Sequence, residues 1–369
     1  MTVFPTMTEE RRRQLLEPQP HPMRVLIDTD AANEIDDQYA LTWAVLSPEH
    51  IDIEAIVAAP YSFAHHRQPL LDAIAALEKD PDADVPLIYR RWSENLTAAG
   101  VAAESIEFEG PDEGMERSFD EIVTVYDKLG LSTEGLAYRG SPAFMAAPDV
   151  PIESEGATRI VEAAMASDDR VLVVAAIGAV TNIASALLIE PEIASRMVVT
   201  WTSGYPTWTD LSNAPSLNLV EDVHASRLLF ESGVPLVYLP GFHIGAQLLL
   251  SLPEVEQWIK GRGAIGDYLH HLYTHNPIHT QRAIAEFPGQ SWVCWDLINF
   301  AWIIEPDWVP TRVTETPTLD DDLVWSARPG APNMLEATDI DRDAIFGDFI
   351  AKLHDRERIL ARYGSGDST

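Results

Sequence analysis

Acidic side chains crowd one short segment near the N-terminus, directly after an apolar run. The run Met23–Asp28 is strand-like, and the ten residues from Asp28 to Asp37 hold four aspartates and Glu34. Carboxylates this close repel one another unless a cation shares them. A hard divalent cation bound through oxygen would relieve the repulsion, and flexible carboxylate geometry favours Ca²⁺. The segment lacks the glycine and the final glutamate of an EF-hand loop, so a different calcium site is expected.

A simpler interpretation of this segment is a turn followed by a helix N-terminus, where the helix dipole favours acids. That interpretation does not account for acids on both sides of the turn.

The elements that must position this segment alternate between strand-like and helix-like patterns. The predicted strands are Met23–Asp28, Ile51–Ala59, Val85–Tyr89, Arg170–Ile177, Met197–Thr202 and Pro235–Leu239. The predicted helices are Gln38–Leu46, Gln68–Leu77, Thr158–Ala166, Thr181–Leu188 and Val223–Glu231. The alternation predicts an α/β fold with an open, mostly parallel sheet and helices on both faces. Ligands of such sheets bind outside the carboxyl ends of the strands, which is where the acidic segment falls.

The chain shows no internal repeat and no Gly/Ser linker, which favours a single α/β domain over residues 23–362. Residues 1–22 are predicted to be an N-terminal extension, and residues 363–369 a C-terminal tail. The acidic stretch Glu94–Asp120 is predicted to be an insertion or a lid-like excursion.

Composition narrows the classes of partner. The chain has 58 acidic and 25 basic side chains in 369 residues, a formal charge of -33. Such a surface repels phosphate backbones and anionic lipid, so neither nucleic acid nor membrane is an expected partner. Cys294 is the only cysteine, which excludes disulfide scaffolds and cysteine-based zinc clusters. The opening residues hold no apolar signal-peptide run, and a cytoplasmic location is expected.

Segments along residues 23–310 together resemble the inosine-uridine preferring nucleoside hydrolase (nucleoside N-ribohydrolase) family. The acidic segment resembles the family's DxDxxxDD signature, with two more residues between Asp30 and Asp36. Ile177–Asn182 (IGAVTN) resembles its G-(P/G)-L-T-N turn. Asn213–Asn218 (NAPSLN) lies at its E-F-N ribose-binding motif, with serine in place of the glutamate. The pair Trp295-Asp296 resembles its H-D pair, with tryptophan in place of the histidine.

The resemblance implies Ca²⁺-dependent hydrolysis of the N-glycosidic bond of a small-molecule ribonucleoside. It implies that Asp30 is the general base, and that Asp36 and Asn218 bind ribose. The implied calcium ligands are Asp30, Asp37, Asp296 and the carbonyl of Ile177. It also implies a homo-oligomer, a dimer or a tetramer. Because the loop is longer here, Asn33 or Glu34 could take a ligand role instead.

The group that assists departure of the base is open at this stage. The purine-specific inosine–adenosine–guanosine branch of the family also has a tryptophan at the position of Trp295, and there stacking of the indole on the purine lets solvent protonate the base. The alternative is that Trp295 only packs the pocket wall. His275 or His271 could reach the base from a predicted helix, or be exposed packing residues. His243, His65 and His66 follow predicted strands, and each has an equally plain loop interpretation.

Arg139 lies where the family often has a histidine facing the base. It would change base recognition or bind an anionic group, or it is a surface arginine. Two alternative functions therefore stay open. The first is a hydrolase of a different ribosyl compound. The second is a non-catalytic protein that binds Ca²⁺ and ribose.

Overall fold

The computed structural model describes residues 2–284 and 291–364 of the chain. Its strands are β1 Met23–Thr29, β2 Ile51–Ala58, β3 Ala137–Arg139, β4 Leu172–Ala176, β5 Met197–Ser203, β6 Leu236–Pro240, β7 Leu249–Ser251, β8 Ser291–Val293, β9 Thr311–Glu315, β10 Thr318–Leu319, β11 Trp325–Ser326 and β12 Asn333–Ala337. Its helices are α1 Glu9–Leu16, α2 Asp36–Val45, α3 Arg67–Lys79, α4 Leu87–Ala99, α5 Pro111–Leu129, α6 Glu155–Met165, α7 Thr181–Ile189, α8 Leu217–Val220, α9 Val223–Glu231, α10 Leu252–Glu254, α11 Gly263–Thr274, α12 Pro277–Gln281, α13 Leu297–Ile304, α14 Arg342–His354 and α15 Arg356–Gly364. A π-helical turn, Val255–Ile259, continues α10.

The central sheet of the described chain has eight strands in the order β3-β2-β1-β4-β5-β6-β12-β9. All neighbours pair in parallel except β9, which is antiparallel to β12. This confirms the predicted α/β class with a mostly parallel sheet. From β1 the chain runs outward through β2 and β3 and then crosses to the other side of β1 to form β4. The carboxyl ends of β1 and β4 therefore form the switch point where such sheets bind ligands.

Helices cover both faces of the sheet, and the strand sequences reflect this. Every residue of β1, β4 and β5 is buried. Successive side chains point to opposite faces. Val25 and Ile27 therefore join the core on one face, whereas Leu26 joins the core on the other. Continuous apolar runs are the pattern that a parallel strand covered on both faces needs.

The prediction of a strand at Val85–Tyr89 is wrong, because α4 begins at Leu87. A short apolar run cannot be assigned from periodicity alone, and here the amphipathic spacing that continues to Ala99 favours helix. The third strand next to β2 is Ala137–Arg139 instead. The stretch predicted to be a lid-like excursion folds largely into helix, and α5 packs on α2, β2 and β3.

Both predicted terminal segments contain packed helix. In α1, Leu15 and Leu16 are buried, and Arg12 donates a hydrogen bond to the Gly233 carbonyl at 2.8 Å. At the other end α15 runs to Gly364, and the hydroxyl of Tyr363 donates to the Val45 carbonyl at 2.8 Å. Residues 365–369 of the predicted tail lie outside the described residues. Among the described helices, none has the length and apolar content needed to cross a membrane.

Candidate active site

The site begins where β1 and β4 end side by side. Asn182, in the first turn of α7, ties these ends together. Its Nδ2 donates to Asp28 Oδ1 at 2.8 Å, and its Oδ1 accepts the Ser141 N–H at 2.7 Å. Burial raises the pKa of Asp28 to about 7, against the opposing effect of the Asn182 hydrogen bond. Strand β1, β4 and the segment after β3 are thereby held in one rigid frame beneath the acidic loop.

Three buried aspartates from two distant helices converge beside this frame. Asp36 and Asp37 open α2, and Asp296 lies at the start of α13. One carboxylate oxygen of each lies within 4.8 Å of the other two. Two helix N-termini point at the same spot, and their partial positive charges favour negative groups there. Asp37 is further oriented by the Thr29 hydroxyl, which donates to its Oδ1 at 2.5 Å.

The electrostatics of the three aspartates fit a divalent cation. Burial raises the pKa of Asp36 and Asp296 well above the usual range. The charges of Glu34 and Asp37 raise the pKa of Asp36 further, and the charges of Asp36 and Asp37 raise the pKa of Asp296 further. Burial also raises the pKa of Asp37 to about 7. Asp37 Oδ2 and Asp30 Oδ1 are buried without a hydrogen-bond partner. Buried acceptors without donors are costly, and a cation that prefers oxygen ligands would satisfy them.

Asp30 lies close by but outside this group of three. It is fully buried, and Asn33 donates from Nδ2 to its Oδ2 at 2.7 Å. Its Oδ1 lies beside Gly178, where an added Cβ would sit 3.0 Å from that oxygen. Burial raises the pKa of Asp30, and the charge of Asp37 raises it further. The lengthened loop therefore brings the side-chain amide of Asn33 into hydrogen-bond contact with the Asp30 carboxylate.

A cavity of about 260 Å³ opens in front of the cluster. Its lining residues are Asn33, Glu34, Asp36, Ile88, Ile177, Thr202, Ser203, Gly204, Pro215, Ser216, Leu217, Asn218, Gly241, Phe242, Arg282, Trp295 and Asp296. Acids line one part of it, and an aromatic wall lines another. The charges and the apolar wall suit a ligand with a polar sugar-like part and a flat ring.

The residues after β4 and β5 contribute polar groups to the lining. Asn218 Nδ2 donates to the carbonyls of Ile177 and Thr202, each at 3.1 Å. A carbonyl oxygen has two lone pairs, so Ile177 retains one for another partner. Ser216 Oγ accepts the Gly204 N–H at 2.8 Å and lies 3.0 Å from Ser203 Oγ.

The aromatic wall combines Trp295 with Phe242, a residue that sequence reasoning missed. Their ring centres lie 5.7 Å apart in an edge-to-face arrangement. Gly241 and Gly245 pack close to the indole, each within 3.8 Å of Trp295 Cε3 if a Cβ is added. Because glycine has no side chain, these two positions leave space for the Trp295 indole beside the cavity.

Two of the predicted binding residues lie away from this cavity. Arg139 is exposed, pairs with Glu116 at 2.8 Å and stacks over the Phe119 ring at 3.9 Å. His275 is exposed and stacks on His271, with ring centres 4.4 Å apart. Both side chains contact neighbours on the surface and not the cavity. Their placement agrees with the alternative interpretations, a surface arginine and exposed histidines.

The other candidate histidines also fall outside the lining. His243 is exposed at a left-handed backbone position, with φ 69°. Burial lowers the pKa of His65 to about 4 and that of His66 to about 3. Neither imidazole therefore carries the extra proton of an imidazolium at physiological pH.

Sequence reasoning missed Glu221, whose side chain is 1 % exposed. Its Oε1 accepts the backbone N–H groups of Ser62 and Phe63 at 2.8 and 2.7 Å, and its Oε2 is buried without a partner. Phe63 has φ 55°, an uncommon conformation for an aromatic residue that this carboxylate holds in place. Glu221 follows Asn218 by one helical turn, and that spacing was the available signal.

Sequence reasoning also missed Arg282, which lines the cavity and is half-buried. Its guanidinium lies 5.6 Å from the centre of the Trp92 ring. No pattern in the sequence marked this arginine among the 25 basic residues.

The sequence surrounding this site matches a known enzyme family. Residues 25–347 match the model of the inosine-uridine preferring nucleoside hydrolases. The chain belongs to this family. The hydrolase is 22% identical over 250 residues to the probable uridine nucleosidase 2 of Arabidopsis thaliana, covering 67% of each chain.

Solved structures share the fold of this hydrolase. A purine-preferring ribonucleoside hydrolase from Gardnerella vaginalis superposes with a TM-score of 0.60 at 18% identity, covering 91% of this chain and 99% of that one. An inosine-guanosine nucleoside hydrolase superposes with a TM-score of 0.58 at 16% identity, covering 91% and 98%. The protein is thus a hydrolase of N-glycosyl bonds that acts on small-molecule nucleosides, and the predicted family and reaction class are confirmed.

Proposed function

We propose that this hydrolase cleaves the N-glycosidic bond of purine ribonucleosides in a Ca²⁺-dependent reaction, giving free base and ribose. One observation carries the proposal: the buried group Asp36, Asp37 and Asp296 borders a cavity at the sheet's switch point. Acids concentrated there suit both a cation and the positive charge that develops on a sugar as its base departs.

The calcium site would draw on Asp37 and Asp296 of the cluster, with Asp30 and the Ile177 carbonyl as the further ligands that the family resemblance implies. The unpartnered oxygens of Asp30 and Asp37 support this assignment. When bound, Ca²⁺ supplies positive charge that neutralises the acids, binds sugar hydroxyls and makes water more acidic.

Asp30 is the proposed general base. Burial, and then the charge of Asp37, raise the pKa of Asp30, and a more basic carboxylate takes a proton from water more readily. Asn33 orients the carboxylate through the bond to Oδ2. Asp36 and Asn218 both line the cavity and would bind the ribose hydroxyls.

Trp295 is the proposed stacking surface for the purine ring. Its indole forms the cavity wall with Phe242, and aromatic side chains stack on nucleobases through their faces. Two structural relatives, one a purine-preferring and one an inosine-guanosine hydrolase, support a purine substrate.

The experiment is release of reducing sugar from inosine, guanosine, adenosine, uridine and cytidine, with Ca²⁺ and with EDTA. Wild type and Asp30→Asn are compared. We expect purine turnover that EDTA abolishes and that the variant lacks. Turnover retained by Asp30→Asn would remove Asp30 as the base, and faster release from uridine or cytidine would overturn the purine assignment. If folded, Ca²⁺-bound protein released no sugar from any of the five nucleosides, a different ribosyl substrate or a non-catalytic protein that binds Ca²⁺ and ribose would be favoured.

A further inference from the structure

The cavity is lined by three acids and a single cation. Glu34, Asp36 and Asp296 are the acids, and Arg282 is the one lysine or arginine among the lining residues that the structure describes. Its Nε is buried without a hydrogen-bond partner. Burial lowers the pKa of Arg282 and the charge of Glu34 raises it, but no described carboxylate forms a hydrogen-bonded ion pair with the guanidinium. A partly desolvated guanidinium without a hydrogen-bonded anion is costly, and a ligand acceptor would offset that cost.

Departure of the base needs assistance that no histidine of the cavity lining provides, because the lining holds none. His65 and His66 lie nearby, yet burial lowers the pKa of both far below neutrality. His271 and His275 lie on the surface. Among the lining residues, Arg282 is the group placed to meet the negative charge that develops on the departing base.

We propose that Arg282 donates hydrogen bonds to the O6 and N7 edge of a 6-oxopurine, and so selects hypoxanthine-type or guanine-type nucleosides and stabilises their departing base. The proposal rests on the purine nucleoside hydrolysis proposed above. A guanidinium has five donors and no acceptor. The 6-oxopurine edge offers two acceptors, whereas adenine presents an amino donor at position 6 that a guanidinium cannot pair.

The step balances without an external reagent. The C1′–N9 bond breaks, and its electron pair leaves with the base. Water forms the new bond to C1′ and gives its proton to Asp30. The base, held as an anion by Arg282, takes a proton from solvent on release. Arg282 transfers no proton, because arginine stays protonated in proteins.

The test compares kcat/KM of wild type, Arg282→Gln and Arg282→Lys on inosine, adenosine and p-nitrophenyl β-D-ribofuranoside. The nitrophenolate is stable as an anion and has no O6/N7 edge, so its departure does not need Arg282. We expect Arg282→Gln to lose about 10- to 100-fold on inosine. The loss on adenosine should be smaller, and the nitrophenyl riboside should change less than about threefold. Arg282→Lys should fall between, since a lysine lacks the bidentate fork.

A matched control is Arg139→Gln, which removes an exposed arginine outside the cavity and should leave all three rates unchanged. Binding of free hypoxanthine and adenine, measured by calorimetry, adds a readout independent of turnover: Arg282→Gln should weaken hypoxanthine selectively.

Equal losses on all three substrates, or none on inosine, would overturn the role of Arg282 while leaving the hydrolase function standing. Failure of wild type on inosine and adenosine, with the nitrophenyl riboside still cleaved, would overturn both the purine assignment and the role of Arg282. Failure of wild type on all three would overturn the proposed function, and this role with it.

Discussion

The side-chain amide of Asn33 donates a hydrogen bond to Oδ2 of Asp30 at 2.7 Å. Both residues are buried, and Asn33 lines the cavity whereas Asp30 is not among the lining residues. The bond holds one carboxylate oxygen and leaves Oδ1 beside Gly178. The lengthened loop thus supplies its own orienting group for the proposed base.

Asn33→Ala should lower kcat on inosine by about 10- to 100-fold, the usual cost of removing a group that orients a metal-site or catalytic carboxylate. KM should change less, because Asp30 is not a lining residue. Steady-state kinetics measures both. An unchanged kcat with a raised KM would instead make Asn33 a substrate contact.

Gly178→Ala should disable the site while leaving the fold in place. The added Cβ would lie 2.9 Å from Asp30 Cγ, so the carboxylate has to move. A displacement of this size at a catalytic group costs about 100-fold in rate. The control is Gly347→Ala, since a Cβ there meets nothing within 4 Å; it should retain activity and gain about 0.5 to 1 kcal/mol of stability. Full activity in Gly178→Ala would remove the steric argument.

Trp295→Ala should lower kcat/KM on inosine by about 10- to 100-fold through lost stacking, and leave Ca²⁺ affinity unchanged in calorimetry. Trp295→Phe should retain most of the activity because it keeps an aromatic face. Trp258→Ala, at a tryptophan that is 40 % exposed and outside the cavity lining, serves as the control. Turnover unchanged in Trp295→Ala would mean that the indole only packs the wall.

Glu221→Gln should change the dependence of stability on pH. Burial raises the pKa of Glu221 from its ordinary 4.5 to about 7, so the folded protein keeps a proton that the unfolded chain releases between these values. The glutamate contribution is therefore present at low pH and lost as pH rises through 7. Glutamine keeps an acceptor for Ser62 and Phe63 without the charge.

Urea unfolding in EDTA at pH 5.5 and pH 8.5 measures this difference. Going from the lower to the higher pH, the variant should gain on wild type by at most about 2 kcal/mol, because the folded carboxyl resists ionisation over the roughly 1.5 pH units between pH 5.5 and 7. An equal loss of stability at both values would show that the charged carboxylate is what holds the turn at Phe63.

Much of this molecule is determined by local sequence. The apolar runs of β1, β4 and β5 and the helical spacing of α9 specify their own structure, because burial on both faces or on one stripe leaves a periodic pattern. The acidic loop after β1 likewise places Asp30, Asp36 and Asp37 together, because they are close in the chain. Where the pattern was short, as at Val85–Tyr89, the same reasoning failed.

Tertiary structure decided the rest of the site. It brought Asp296, from α13, against the two aspartates of α2, and it placed Arg282 on the cavity while leaving Arg139 and His275 on the surface. Glu221 reached the loop after β2 for the same reason. These outcomes depend on how helices that are far apart in the chain pack around one edge of the sheet. The residue types alone do not show which of these distant residues lie close together in space.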